Sequence, residues 1–289
     1  MIWLRRAGTV VLVAVAILFA CADRGPARSE ANVPLPPKPP AARCALSSFR
    51  VVVDVGHTVE VPGAISARGV PEYAFNLDLA QDVKQALVDA GFDKTVLLIT
   101  ATAPPLGLFE RANRANRMRA DLFIAIHHDS VPDNLLETWE YEGQPQHFND
   151  EFSGYAIFIS NENADRAGSL LFGRLLGKAL QARGLHYTPH YTLALMGRRR
   201  RQLVDAAAGV YRYDALVVLQ QTRMPAVLLE AGSIVNRQEE LELASPARRA
   251  LTSAAIVAAV EDFCAARAHA KIERRVKRPP APQARPAAH

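Results

Sequence analysis

Three short apolar runs set the frame of this chain. Residues 49–55 are rich in valine and stop at Gly56-His57, residues 121–126 stop at His127, and residues 225–229 stop at Glu230. Near-continuous apolar runs of this length predict buried strands of a largely parallel sheet. After a loop over residues 57–71, Glu72 opens a helical stripe of Phe75, Leu77, Leu79, Val83, Leu87 and Val88 that stops at Gly91. Further strands are predicted at 95–99, 155–160, 216–219 and 226–230, and helices at 106–119, 164–183 and 247–264. Strand and helix alternate, which predicts one α/β domain whose crossover helices flank a mostly parallel sheet. Residues 132–153, with Trp139, Tyr141 and His147, read as a long irregular stretch and a candidate cleft wall or lid.

Composition changes this picture mainly at the ends. The 289 residues are 49% hydrophobic, enough for one large core, and carry a formal net charge of +5. Residues 1–47 hold six basic and two acidic side chains and residues 265–289 hold seven and one, which leaves the segment between them at −5. A nucleic-acid-binding domain finds no support in that balance. Arg5 and Arg6 precede an apolar run over 7–20, so residues 1–22 read as a secretory leader. Leu18-Phe19-Ala20-Cys21 resembles a lipobox with Cys21 as the lipidated residue, Ala20-Cys21-Ala22 fits a cleavage site, and a retained anchor is a third reading. All three export the domain. Residues 23–46 form a proline-rich linker, the globular domain is expected over 47–266, and residues 267–289 read as a disordered basic tail. In an oxidising compartment Cys44 and Cys264 would tie the two ends of the domain together as a disulfide; the alternative is a pair of buried thiols.

In open α/β sheets ligands bind beyond the carboxyl ends of the strands, which is where His57, His127 and Glu230 stand. Zinc accepts imidazole nitrogen and carboxylate oxygen, and catalytic zinc sites keep one position open for water. His57, Glu72 and His127 are therefore the candidate metal ligands, since the loop from His57 to Glu72 is long enough to fold back. Glu230, from a third strand tip, is the candidate acid/base that takes a proton from water and passes it to a leaving amine. The chemistry implied is metal-assisted hydrolysis of an amide.

Several motifs in succession resemble one family. Asp54-Val55-Gly56-His57, Gly63-Ala64, Gly69-Val70-Pro71-Glu72 and Glu110-Arg111-Ala112-Asn113 with Ala115-Asn116 are followed by residues 120–127, ending at His127, and by residues 224–232 with Asn236. In this order they resemble the zinc-dependent N-acetylmuramoyl-L-alanine amidases of bacterial cell walls, and the likeness covers nearly all of residues 49–263. The resemblance implies a twisted six-stranded sheet flanked by helices, one zinc ion on His57, Glu72 and His127, and Glu230 as the catalytic residue. It implies peptidoglycan as substrate, cut between N-acetylmuramic acid and the L-alanine of the stem peptide, in the periplasm or cell envelope. A membrane surface is a further candidate partner, through lipidated Cys21 or the basic tail. Thr58, His128-Asp129-Ser130 and Ser233 depart from the family pattern and bear on cleft lining and substrate preference. Two rival readings remain: a non-catalytic peptidoglycan-binding protein on the same fold, and a zinc peptidase acting on soluble peptides.

Other residues carry a functional and a structural reading side by side. His128 competes with His127 as ligand, and the family pattern selects His127. Asp129 either orients a ligand imidazole or is a solvated loop acid, the second being expected. Arg111 either meets a substrate carboxylate or forms an internal ion pair, and Asn116 reads as a local hydrogen-bonding residue. Arg198-Arg199-Arg200-Arg201 either meets stem-peptide carboxylates or lipid head groups, or is a solvated charge run.

Overall fold

Valine and isoleucine alternate between the two faces of a seven-stranded sheet at the centre of the computed structural model, which describes residues 44–276. The expectations for the leader, Cys21, most of the linker and the last part of the tail lie outside the described residues. In chain order the elements are β1 (Val51–Val55), α1 (Glu72–Asp89), β2 (Val96–Leu98), α2 (Leu106–Met118) and β3 (Leu122–Asp129). They continue with β4 (Glu137–Tyr141), β5 (Gln144–Phe148), β6 (Ala156–Ile159), α3 (Arg166–Gln181), β7 (Gln202–Asp205) and β8 (Val210–Arg212). The chain then forms α4 (Val217–Gln221), β9 (Ala226–Ser233), α5 (Arg237–Ala244) and α6 (Pro246–Val276). Strand order is β2-β1-β3-β9-β6-β8-β7; β6 is antiparallel to β9 and β7 to β8, and the other pairs are parallel.

The strands are apolar throughout because both faces are covered. Val51, Val53, Val55, Leu122, Ile124, Ile126, Val227 and Leu229 pack on one side, against Leu79, Val83 and Leu87 of α1, Phe172 of α3 and Phe263 of α6. Val52, Phe123, Ala125, Ala226 and Leu228 pack on the other, against Ala115 of α2 and Val218 and Leu219 of α4. Each large side chain so buried contributes about 1.5–3 kcal/mol. Register then positions the chemistry: His127 lies opposite Glu230 on the central parallel pair, so both side chains emerge on one face at the carboxyl ends of β3 and β9.

The structure departs from expectation in several places. The sheet has seven strands where six were expected, because residues 202–212 form an antiparallel pair at its edge. Residues 216–219 are expected to be a strand but belong largely to the short helix α4; a brief apolar run does not separate buried helix from buried strand. Residues 132–153 are not irregular: β4 and β5 pair as a hairpin whose turn places Glu142 at φ 50° and Gly143 at φ 71°. Two consecutive positive φ values describe the primed turn that suits a two-residue hairpin loop. Helix α5, started by Asn236 accepting from the Gln238 and Glu239 N–H groups, went unpredicted. The last helix runs to Val276, past the expected domain boundary at residue 266. No helix among the described residues is long and apolar enough to cross a membrane.

Cys44 and Cys264 are joined in a disulfide, with Cα atoms 5.3 Å apart and a sequence separation of 220 residues. Cross-links of this kind constrain the unfolded chain. Reduction is expected to lower the unfolding free energy by about 2–5 kcal/mol, seen as a lower urea midpoint in dithiothreitol. Cys264→Ser should show one midpoint regardless of reductant, and an unchanged wild-type midpoint would contradict the assignment.

Candidate metal centre

The loop between β1 and α1 folds back on itself to bring Glu72 to His57. Ile65 bridges Pro71, and the N–H groups of Glu72 and Tyr73 donate to the Ala64 and Pro62 carbonyls at 2.8 and 2.9 Å. These loop carbonyls satisfy helix-start donors that Pro71, with no side-chain cap, leaves open. Glu72 therefore enters at the first turn of α1, where the helix dipole favours its negative charge. Its Oε2 lies 3.0 Å from His57 Nε2 and its Oε1 lies 3.0 Å from His127 Nδ1. The two imidazoles meet edge to face with centroids 4.9 Å apart. One potential ligand atom from each of the three residues falls within 4.8 Å of the others. Two imidazoles and a carboxylate at that spacing fit a single zinc-type ion.

The surrounding chain fixes these side chains. Glu72 also accepts from the Ala64 N–H at 3.1 Å, Asn76 Nδ2 at 3.0 Å and the His128 N–H at 3.3 Å. Burial pushes its carboxyl up, but the hydrogen bonds and charge of His127 and His57 outweigh that and hold it well below the usual carboxylate range. Burial drives the His127 imidazole below its ordinary value against the pull of Glu72, favouring the neutral form that a metal needs. A Cβ at Gly56 would stand 2.5 Å from the His127 ring, and one at Gly63, where φ is 82°, would collide with Glu72 and meet the His57 ring at 2.7 Å. His128 is buried apart from this group, with Nδ1 2.8 Å from Asn76 Oδ1 and a pKa that burial lowers to about 3.

His57 itself adopts φ 66°, a left-handed conformation that costs a non-glycine residue about 1–2 kcal/mol. Arg111 grips this segment from α2: its guanidinium donates to the Val55 and His57 carbonyls and pairs with Asp54 at 2.9 Å. Burial raises the Asp54 carboxyl to about 7 despite Arg111, so this pair acts through geometry more than through net Coulomb gain. The internal-pair reading of Arg111 is the one observed.

Glu230 faces the same cavity of about 530 Å³ as His57, Glu72 and His127. Its Oε2 is buried without a hydrogen-bond partner, and burial, followed by the charges of Asp129 and Glu72, pushes its carboxyl well above the usual range. The expectation for Asp129 as a solvated acid is corrected: it is buried behind the bulge in β3, accepts from Tyr191 Oη at 2.6 Å and from the Ser130 N–H at 2.8 Å, and sits near 7 because of that burial.

The sequence profile of N-acetylmuramoyl-L-alanine amidases matches residues 51–262, which contain all four of these side chains. The chain belongs to this amidase family. It is 25% identical over 234 residues to the N-acetylmuramoyl-L-alanine amidase AmiC of Neisseria meningitidis serogroup B and 27% identical over 218 residues to a probable amidase, AmiB, of Haemophilus influenzae. These alignments take in 74% and 69% of this chain but 52% and 48% of the relatives, so the chain spans about half the length of those curated proteins. The crystal structure of the amidase Ami1 from Mycobacterium smegmatis shares the fold, with a TM-score of 0.60, 20% identity, and coverage of 76% of this chain and 99% of that one.

Within this amidase-family domain, sequence reasoning overlooked Asn76, which links Glu72 to His128 and stands one helical turn after Glu72; that i, i+4 spacing was the available signal. Tyr191 and His190, buried beside Asp129, gave no signal at all. Asn116 holds the Gln221 carbonyl and the Arg223 N–H, a local role as expected. Arg111→Ala is expected to destabilise the fold by about 3–5 kcal/mol by stranding Asp54 and to lower the metal retained after dialysis. Urea titration and elemental analysis check this; wild-type values for both would contradict the supporting role.

Proposed function

We infer that this chain is a zinc-dependent amidase that hydrolyses the amide between the lactyl group of N-acetylmuramic acid and the L-alanine of the stem peptide in peptidoglycan. The observation that carries the reading is the convergence of His57, Glu72 and His127 opposite Glu230, inside the segment that matches the family. His57, Glu72 and His127 would hold the ion. Zinc, when bound, supplies Lewis acidity that polarises a carbonyl and acidifies water.

The protein's own part is proton handling and positioning. Glu230 accepts a proton from the attacking water as oxygen bonds to the amide carbon, then delivers that proton to the nitrogen as the C–N bond breaks. The products are the lactyl carboxylic acid and the free amine of L-alanine. Burial raises the Glu230 carboxyl, which favours its taking a proton from the water. The Cys44–Cys264 disulfide supports an exported location, as does the leader-like start of the sequence. On this reading the enzyme works in the cell envelope.

Glu230→Gln is expected to fold and to retain metal while its release of stem peptides from purified sacculi falls by about 10²–10⁴-fold, read by mass spectrometry of muropeptides. Undiminished release in that variant would contradict the role of Glu230. In wild type, a chelator should stop release and added zinc should restore it. Cleavage of soluble peptides with sacculi left intact would replace this reading with the peptidase, and sacculus binding without cleavage would replace it with the wall-binding protein.

A further inference from the structure

Of the four consecutive arginines, Arg199 and Arg201 line the cavity that holds Glu230, whereas Arg198 and Arg200 do not. Arg199 donates through one nitrogen to the Ser130 carbonyl at 3.2 Å, three residues beyond His127. Arg201 stacks over the Tyr213 ring at 3.5 Å and is tied down by one nitrogen donating to the Arg198 and Arg200 carbonyls at 2.7 and 2.8 Å. Among the described residues neither guanidinium forms an ion pair with an aspartate or glutamate. Some arginines elsewhere, such as Arg68, Arg111, Arg237 and Arg249, are so paired, and others among the described residues, such as Arg50, Arg183 and Arg223, are not; what sets Arg199 and Arg201 apart is that they line this cavity.

Two guanidiniums held by backbone carbonyls and an aromatic ring, with no direct carboxylate ion pair, describe an anion site, in which Arg199 also feels the charges of Glu230 and Asp129. Beside His57 and His127 the lining also has a different character. There a cavity of about 270 Å³ is walled by Leu108, Val217, Val218 and Leu228 and offers an anion no unpaired cation, because Arg111 is held by Asp54. The two cavities thus differ in lining: the smaller is mostly apolar, whereas the larger carries Arg199 and Arg201 together with the carboxylates of Asp129, Asp133 and Glu230.

We propose that Arg199 and Arg201 form a carboxylate-binding subsite that selects substrates with a free acid on the peptide portion, beside the scissile amide. The proposal rests on the amidase reading for the identity of the peptide and on the cleft alone for the anion. A charge-assisted arginine contact corresponds to a preference of roughly 10- to 100-fold. Because Arg199 also bears electrostatically on Glu230, the informative quantity is a ratio between two substrates, in which a general effect on catalysis cancels.

The test compares a muramoyl-L-alanyl dipeptide bearing a free carboxylate on its second amino acid with the same compound converted to the carboxamide. Wild-type protein should favour the carboxylate by about 10- to 100-fold in kcat/KM, mainly through KM. Arg199→Gln with Arg201→Gln should bring the two compounds to within about threefold, and Arg199→Lys should retain part of the preference. A wild-type preference that survives in the double variant, or no preference in wild type, overturns the proposal. Equilibrium binding of the two corresponding free dipeptides, measured by calorimetry, separates this failure from failure of the amidase reading. With no hydrolysis of either compound, arginine-dependent preference in binding still upholds the subsite, and equal binding overturns it. Arginine-dependent binding to phosphatidylglycerol vesicles with equal treatment of both dipeptides overturns it as well.

Discussion

The carboxylate of Glu72 lies between two imidazoles, 3.0 Å from His57 on one oxygen and 3.0 Å from His127 on the other, and the rest of the site is arranged to keep it there. A buried carboxylate is expensive unless its lone pairs are met, and hydrogen bonds to a charged group are each worth about 1.5–3 kcal/mol. Asn76 and two backbone N–H groups, from Ala64 and His128, supply that compensation. Each of them comes from a different part of the chain, so the position of Glu72 couples the β1–α1 loop, the first turn of α1 and the tip of β3.

That coupling explains features that would otherwise look like separate facts. Gly56 and Gly63 leave room where a side chain would push into His127 or Glu72. His57 takes a left-handed backbone, with Arg111 holding its carbonyl, and Arg111 in turn needs Asp54 on the same face of the sheet. The parallel register of β3 and β9 sets His127 beside Glu230 without any further device. Binding chemistry, backbone strain and sheet register thus meet at the carboxyl ends of three strands, the place that open α/β sheets reserve for ligands.

The central strands were legible in the sequence because burial on both faces leaves uninterrupted apolar runs. The four candidate residues were legible because each ends such a run or opens the next helix. What the sequence hid was tertiary. Asp129 reads as a loop acid until Tyr191, 62 residues away, is seen to bond to it. Val217 to Leu219 carry strand-forming side chains yet form a helical turn against α2, since packing overrides propensity in so short a segment. The β4–β5 hairpin is hard to read in the sequence although Glu142-Gly143 is a two-residue turn, because its strands are largely polar and exposed and the alternation that sets Trp139 with Tyr141 spans too few residues to mark a buried face. The basic run 198–201 showed as charge, but its division into two cleft residues and two outer ones depends on the fold of the segment after Tyr191.

Anomalous diffraction at the zinc edge from crystals of the zinc-loaded protein tests the central claim most directly. The predicted result is one strong peak at coordinating distance from His57, Glu72 and His127, with the Glu230 carboxylate facing it. A peak elsewhere, or none at this group of side chains in zinc-loaded crystals, would contradict it.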